Sequence, residues 1–153
     1  MRYPHFLACN GNIGFVAPSF GCATEPYITG FKKAQERFKN LGYGIVNGPN
    51  EANGIGISNT PELCGQELTD MYTSDKSDAL ISCGGGELMC EILGYVDWDK
   101  IVKAEPKWFM GYSDNTNFTF LLNTIADTAY MDLVRRHLVQ TSFIIPSLMQ
   151  SAC

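Results

Sequence analysis

Short apolar runs alternate with stretches of helical spacing along this chain, and glycine or proline marks most of the changeovers. Asn12-Ile13-Gly14-Phe15-Val16 is an apolar run stopped by APSFG, which predicts a first strand and a loop at residues 18–21. Over residues 26–41, Ile28, Phe31, Ala34, Phe38 and Leu41 recur at helical spacing, and Gly42 closes that helix. Residues 43–46 predict the next strand, and residues 48–54 (GPNEANG) a loop expected to be mobile. Thr60-Pro61-Glu62 is a helix start: a capping hydroxyl, a proline at the first position, then an acid near the positive dipole end. That helix should run to about Tyr72. DALIS at residues 78–82 predicts a strand, and Gly84-Gly85-Gly86 a turn into a helix carrying Leu88, Met89, Ile92 and Leu93. A short helical turn at residues 98–102, a strand at 106–110 and a helix at 115–126 complete the pattern.

Strands alternating with helices predict an α/β fold, a Rossmann-like parallel sheet flanked by helices on both faces. Ligands in such folds collect outside the C-terminal ends of the strands. Three loops fall there: residues 18–21, 84–86 and 111–114. No internal repeat or low-complexity segment interrupts the alternation.

Composition narrows the classes further. A chain of 153 residues suits one domain with a sizeable core, and 45% hydrophobic with 18% charged residues is an ordinary globular balance. A net charge of −5 without a basic stripe argues against a nucleic-acid partner. No apolar run approaches the roughly 20 residues of a membrane span, so no membrane partner is expected. The start, MRYPHFLACNGN, lacks the apolar centre of a secretion signal, and the expected location is the cytoplasm. The six cysteines (9, 22, 64, 83, 90 and 153) form no CxxC pair, and the two histidines are His5 and His137. Cys83 and Cys90 make a poor zinc site, so buried thiols and no metal are expected.

Two stretches carry candidate chemistry. In GYSDNTN, Ser113 lies between a predicted strand and a predicted helix with Gly111 two positions earlier, the logic of a nucleophile elbow. Position 115 is Asn, so the full G-x-S-x-G pattern is absent, and from spacing alone Ser113 or Asp114 serves equally as a helix cap. The triple glycine lets backbone N–H groups approach an anion, and beside Ser113 it could donate to a developing oxyanion; alone it is a tight turn. It is neither a Walker loop nor GxGxxG, so no nucleotide cofactor is expected. Glu87, next in line, fits a helix N-terminal charge better than a catalytic acid.

Three stretches, IGFVAPSFG, DALISCGGGELM and PKWFMGYSDNTNFTFLL, together resemble the LD-carboxypeptidase family of serine peptidases, which includes the microcin-immunity peptidases. The similarity covers about residues 10–129, and its most specific piece is PK-x-x-x-GYSD-x-T at Pro106, Lys107 and Gly111 to Thr116. The resemblance implies the N-terminal nucleophile domain (residues 1–129) of a two-domain peptidase. It implies Ser113 as nucleophile, with the Asp114 backbone N–H and an amide of Gly84 or Gly85 as oxyanion hole. The implied substrates are LD-peptide bonds of cell-wall peptides or related amide bonds, cut through an acyl-enzyme with no metal or other cofactor. A homodimer is a further partner state that the resemblance implies. The family's glutamate and histidine lie downstream, in a second domain.

This chain departs from the family after residue 129. The tail at residues 130–153 (YMDLVRRHLVQTSFIIPSLMQSAC) is unlike the short segment reaching Gly-Pro that the pattern calls for, and the expectation is a chain without the C-terminal domain. Read from the last base of the Tyr130 codon, and with Leu133 as CTN, the same DNA encodes Tyr or His, an obligatory Gly, then Pro or Ser. A frameshift near Ala129 is therefore expected, and DNA downstream lacking a family-like second domain in that frame would refute it. His137 and His5 are not natural substitutes for the missing base, so the chain alone is expected to be inactive. The run at residues 141–146 (TSFIIP) is β-prone and an aggregation hazard if exposed. Two other readings stay open: a non-catalytic α/β module binding a small anion or peptide carboxylate, and a gene product with no function of its own.

Overall fold

A computed structural model describes residues 1–50 and 58–132. Residues 51–54 of the predicted mobile loop, His137 and the run at residues 141–146 lie outside the described residues. Five parallel strands form one sheet in the order β2-β1-β3-β4-β5. They are β1 (Asn12–Val16), β2 (Gly44–Asn47), β3 (Ala79–Ser82), β4 (Trp108–Gly111) and β5 (Met131–Asp132). Register runs Ile13 to Ile45 across one edge of β1, Ile13 to Ala79 across the other, and Ala79 to Trp108 beyond.

The helices begin and end where local chemistry directs. In α1 (Tyr27–Asn40), Phe31, Ala34 and Phe38 turn toward the sheet, and Gly42 after it takes φ 90°, a left-handed stop that favours glycine. At α2 (Pro61–Thr73), the Thr60 hydroxyl accepts from the Leu63 N–H at 3.4 Å, with Pro61 in the first position and Glu62 in the first turn. Asp97 opens α4 (Trp98–Lys103) by accepting from the Lys100 N–H at 3.0 Å. The helix expected after the glycine turn is only α3 (Met89–Ile92), prolonged by a 3₁₀ turn at Leu93–Tyr95; Leu88 stands at its cap, 36% exposed.

Alternation along the strands sorts the core into two layers. Val16, Leu80 and Phe109 face α2 to α4 and α5 (Thr116–Ala126), meeting Leu68, Tyr72, Ile92, Ile101, Phe118 and Leu122. Ile13, Phe15, Ala79, Ile81, Trp108 and Met110 face the other way, toward Phe38 of α1 and Leu7 of the N-terminal segment. Helices on both faces of a parallel sheet were expected; the fifth strand was not. It pairs Met131 with Met110 and Asp132 with Gly111, next to the Arg2–Thr128 bridge that ties the N-terminus in. Cys22 and Cys64 are buried thiols, Cys83 is half-buried and Cys90 exposed, whereas Cys9 is disulfide-bonded, contrary to the expectation of thiols throughout. No helix among the described residues is long and apolar enough to cross a membrane.

Candidate active site

Strand β4 delivers the chain to the C-terminal edge of the sheet at Gly111, and the backbone then reverses. Tyr112 is extended, Ser113 takes φ 62°, and a 3₁₀ turn at Ser113–Asn115 feeds directly into α5 (Thr116–Ala126). A left-handed serine costs on the order of 1–3 kcal/mol and persists only where its surroundings impose it. Here they do: a Cβ at Gly111 would lie 2.7 Å from the Asn115 Cβ, so the turn folds back onto a residue that must lack a side chain. Ser113 is exposed, and among the described residues no hydrogen bond engages its Oγ. Neither Ser113 nor Asp114 caps the 3₁₀ turn or α5 through its side chain. The geometry is that of an elbow lifting a hydroxyl above the sheet edge.

All three predicted loops meet there. The Asp114 carboxylate accepts from Ser19 Oγ at 2.5 Å, from the Gly86 N–H at 2.7 Å and from the Met89 N–H at 3.3 Å. The buried Asn115 carboxamide donates to Gly84 O and to Tyr112 O, both at 3.0 Å, while its Oδ1 has no partner. Gly86 therefore does not hold an outside anion, since its N–H is already committed to Asp114. Among the described residues the N–H groups of Gly84, Gly85 and Asp114 have no acceptor, and these are the amides singled out as oxyanion donors.

Gly85 lies closest to the elbow. A Cβ built on it would be 2.7 Å from Ser113 Cβ and 3.2 Å from Ser113 Oγ, whereas one on Gly84 would meet the Phe20 ring at 3.3 Å. We expect Gly85→Ala to displace the elbow and cost about 1–3 kcal/mol, and Gly84→Ala to cost less because a ring can yield. Thermal unfolding of the two variants checks this order; equal melting temperatures would contradict it.

The other candidate groups fall elsewhere. His5 adjoins Phe6, whose ring centroid is 5.7 Å from that of Trp108, the first residue of β4. Ser113 lies past the other end of that strand, about 16 Å away along five extended residues. Glu87 is exposed and makes no hydrogen bond among the described residues. No group of three or more His, Cys, Asp or Glu that could hold a metal converges among the described residues. Sequence reasoning missed Ser19 and the side chains of Asp114 and Asn115 as the groups joining the loops. Their only sequence signal was membership of the three loops at the strand ends.

Behind these loops sits a second polar cluster. Glu67 of α2, 3% exposed, accepts from the Ala17 N–H at 3.3 Å, the Asn50 N–H at 3.1 Å and Asn50 Nδ2 at 3.2 Å. Ser58 donates its hydroxyl to Ala17 O and its N–H to Ser19 O at 2.7 Å. The β1 loop that carries Ser19 is thus anchored from behind by α2 and the segment leading to it.

Residues 13–132 match the family described as LD-carboxypeptidase N-terminal domain. No curated protein matches the chain at a significant level. Among solved structures, MccF in complex with glutamyl sulfamoyl guanosine has TM-score 0.82 at 21% identity, over 98% of this chain and 48% of that one. An MccF-like protein from Bacillus anthracis str. Ames has TM-score 0.81 at 21% identity, over 97% and 47%. A muramoyltetrapeptide carboxypeptidase from Oxalobacter formigenes has TM-score 0.60 at 23% identity, over 72% and 36%. These likenesses are likenesses of fold, and the chain spans about half the length of the MccF structures it matches.

Proposed function

This chain belongs to the LD-carboxypeptidase family through its N-terminal domain, and on that premise we propose that it is the nucleophile-bearing half of a serine peptidase. Its substrates would be LD-peptide bonds of cell-wall peptides, or a related amide bond such as those of the peptide-like sulfamoyl nucleotides bound by MccF. The observation that carries the reading is the left-handed, exposed Ser113 on a strand-to-helix turn, packed against Gly85.

In this mechanism Ser113 Oγ attacks the scissile carbonyl carbon and loses its proton to a base. The carbonyl oxygen takes the negative charge and is held by the Asp114 N–H and a glycine-turn N–H. Collapse expels the amine, which must be protonated as it leaves, and water then cleaves the acyl-enzyme by the reverse sequence of proton transfers. The described residues offer the nucleophile and the donors but no imidazole beside Ser113. In the family resemblance the base and its carboxylate partner come from a second domain.

A serine without its base loses roughly 10⁴- to 10⁶-fold in turnover, while preformed oxyanion donors retain a small part of the catalysis. We therefore expect this chain alone to release no measurable D-alanine from a muropeptide tetrapeptide, yet to be slowly phosphonylated by a fluorophosphonate at Ser113. Mass spectrometry of wild type and Ser113→Ala checks both points. Turnover abolished by Ser113→Ala would overturn the inactivity, and wild-type labelling no faster than that of the variant would overturn the nucleophile. Saturable peptide binding in that second case would favour a non-catalytic binding module.

A further inference from the structure

We propose that the side chains of Asp114 and Asn115 are positioning groups that lock the glycine turn so that Gly85 presents the turn's oxyanion donor to Ser113. The inference rests on the reading of Ser113 as nucleophile and adds what sets its electrostatics. A Gly-Gly-Gly turn has no side chains and no conformational preference strong enough to hold one N–H direction. Something outside it must supply the order.

The supply comes from both sides of Gly85. Upstream, Gly84 O accepts from Asn115 Nδ2 at 3.0 Å and from Ser82 Oγ at 2.9 Å. That carbonyl and the Gly85 N–H belong to one planar trans peptide, so fixing the first fixes the second in the opposite sense. Downstream, the Gly86 N–H is held by Asp114 Oδ1 at 2.7 Å. The same carboxylate takes Ser19 Oγ and the Met89 N–H, so it cannot swing away without freeing three donors. Gly85 is left as the bracketed residue, its N–H without an acceptor among the described residues and a Cβ on it only 2.7 Å from Ser113 Cβ.

Residue chemistry explains why these types occupy these places. Asn115 donates to two carbonyls from a fully buried site, which an aspartate of the same shape would meet with negative charge. Asp114 accepts from three donors, which an asparagine would meet in part with its own N–H₂. The residue that follows the nucleophile thus serves twice, by its backbone N–H as a donor and by its side chain as a brace.

The test compares fluorophosphonate labelling of Ser113 in wild type, Asn115→Asp and Asp114→Asn, with Lys107→Ala as a control destabilised away from the site. Losing one oxyanion donor outright costs on the order of 10²- to 10³-fold, so misaligning it should slow labelling at least tenfold. The control should label at the wild-type rate below its melting temperature. Wild-type rates in both site variants would overturn the proposal, as would equal slowing in the control. If wild type itself does not label above Ser113→Ala, the nucleophile reading fails and amide exchange decides the brace. In wild type the Gly86 and Met89 N–H groups should exchange slowly and become fast in Asp114→Ala, while the β-sheet amides stay protected. Fast exchange of both already in wild type would overturn the brace.

Discussion

Replacing Glu67 with alanine is expected to destabilise the domain by about 3 kcal/mol near neutral pH, a large share of the 5–15 kcal/mol that holds a domain together. Three donors converge on this carboxylate: the N–H groups of Ala17 and Asn50 and the Asn50 carboxamide. Alanine leaves them buried without an acceptor and opens a void beside Gly48, whose missing Cβ makes room for Glu67 Oε1. Glutamine should cost less, about 1–2 kcal/mol, because it keeps one acceptor but turns an N–H₂ toward other donors. Chemical denaturation of the three proteins measures the order.

The pH dependence has a definite sign. Burial pushes the Glu67 carboxyl above the usual glutamate value, and the hydrogen bonds from Asn50 and Ala17 only partly offset this. The native state therefore binds the proton more tightly than the unfolded chain does. Its contribution to stability is complete below the ordinary glutamate value and is lost as pH rises through the raised native one. The stability gap between wild type and Glu67→Gln should accordingly narrow as pH climbs through that window. A gap that widens instead would mean that the three donors outweigh desolvation.

Legibility in the sequence followed the range of the interactions. The β1 boundaries, the Thr60 cap and the Gly42 stop rest on neighbours within a few residues, and all appear where the local pattern puts them. The convergence of residues 18–21, 84–86 and 111–114 was also readable, because a parallel α/β sheet puts every such loop at one edge. β5 was not, since two residues have no periodicity and their extended state comes from pairing with Met110 and Gly111. Nor could spacing reveal that Asp114 holds Ser19, a partner 95 residues away. Spacing left Ser113 open between cap and elbow; the backbone, left-handed and making no side-chain cap, decides its geometry though not its reactivity.

Lys107 shows the same limit and carries the second large effect. Helix α2 has no Lys, Arg or His in its last turn, so nothing on the helix itself answers the negative end of its dipole. Lys107, at the entry to β4 and only 9% exposed, supplies that cation. Its Nζ donates to Met71 O at 3.4 Å and to Ser74 O, while its own backbone N–H donates to the buried Tyr72 hydroxyl at 3.2 Å. Lys107→Ala removes the donor and the packed stem together, leaving the two carbonyls unanswered, and should cost about 2–4 kcal/mol. Lys107→Met restores the stem and should recover part of that loss, because an apolar chain of similar length carries no charge to desolvate. Burial lowers the Lys107 ammonium pKa against the pull of Asp78 and Asp75. With the native pKa depressed, the lysine's contribution is complete above the ordinary lysine value and is lost as pH falls through the native one. The advantage of wild type over Lys107→Met should therefore grow as pH rises through that alkaline window. An advantage that shrinks there would mean that the charge on Lys107, and not its hydrogen bonds and stem, is what secures α2 to β4.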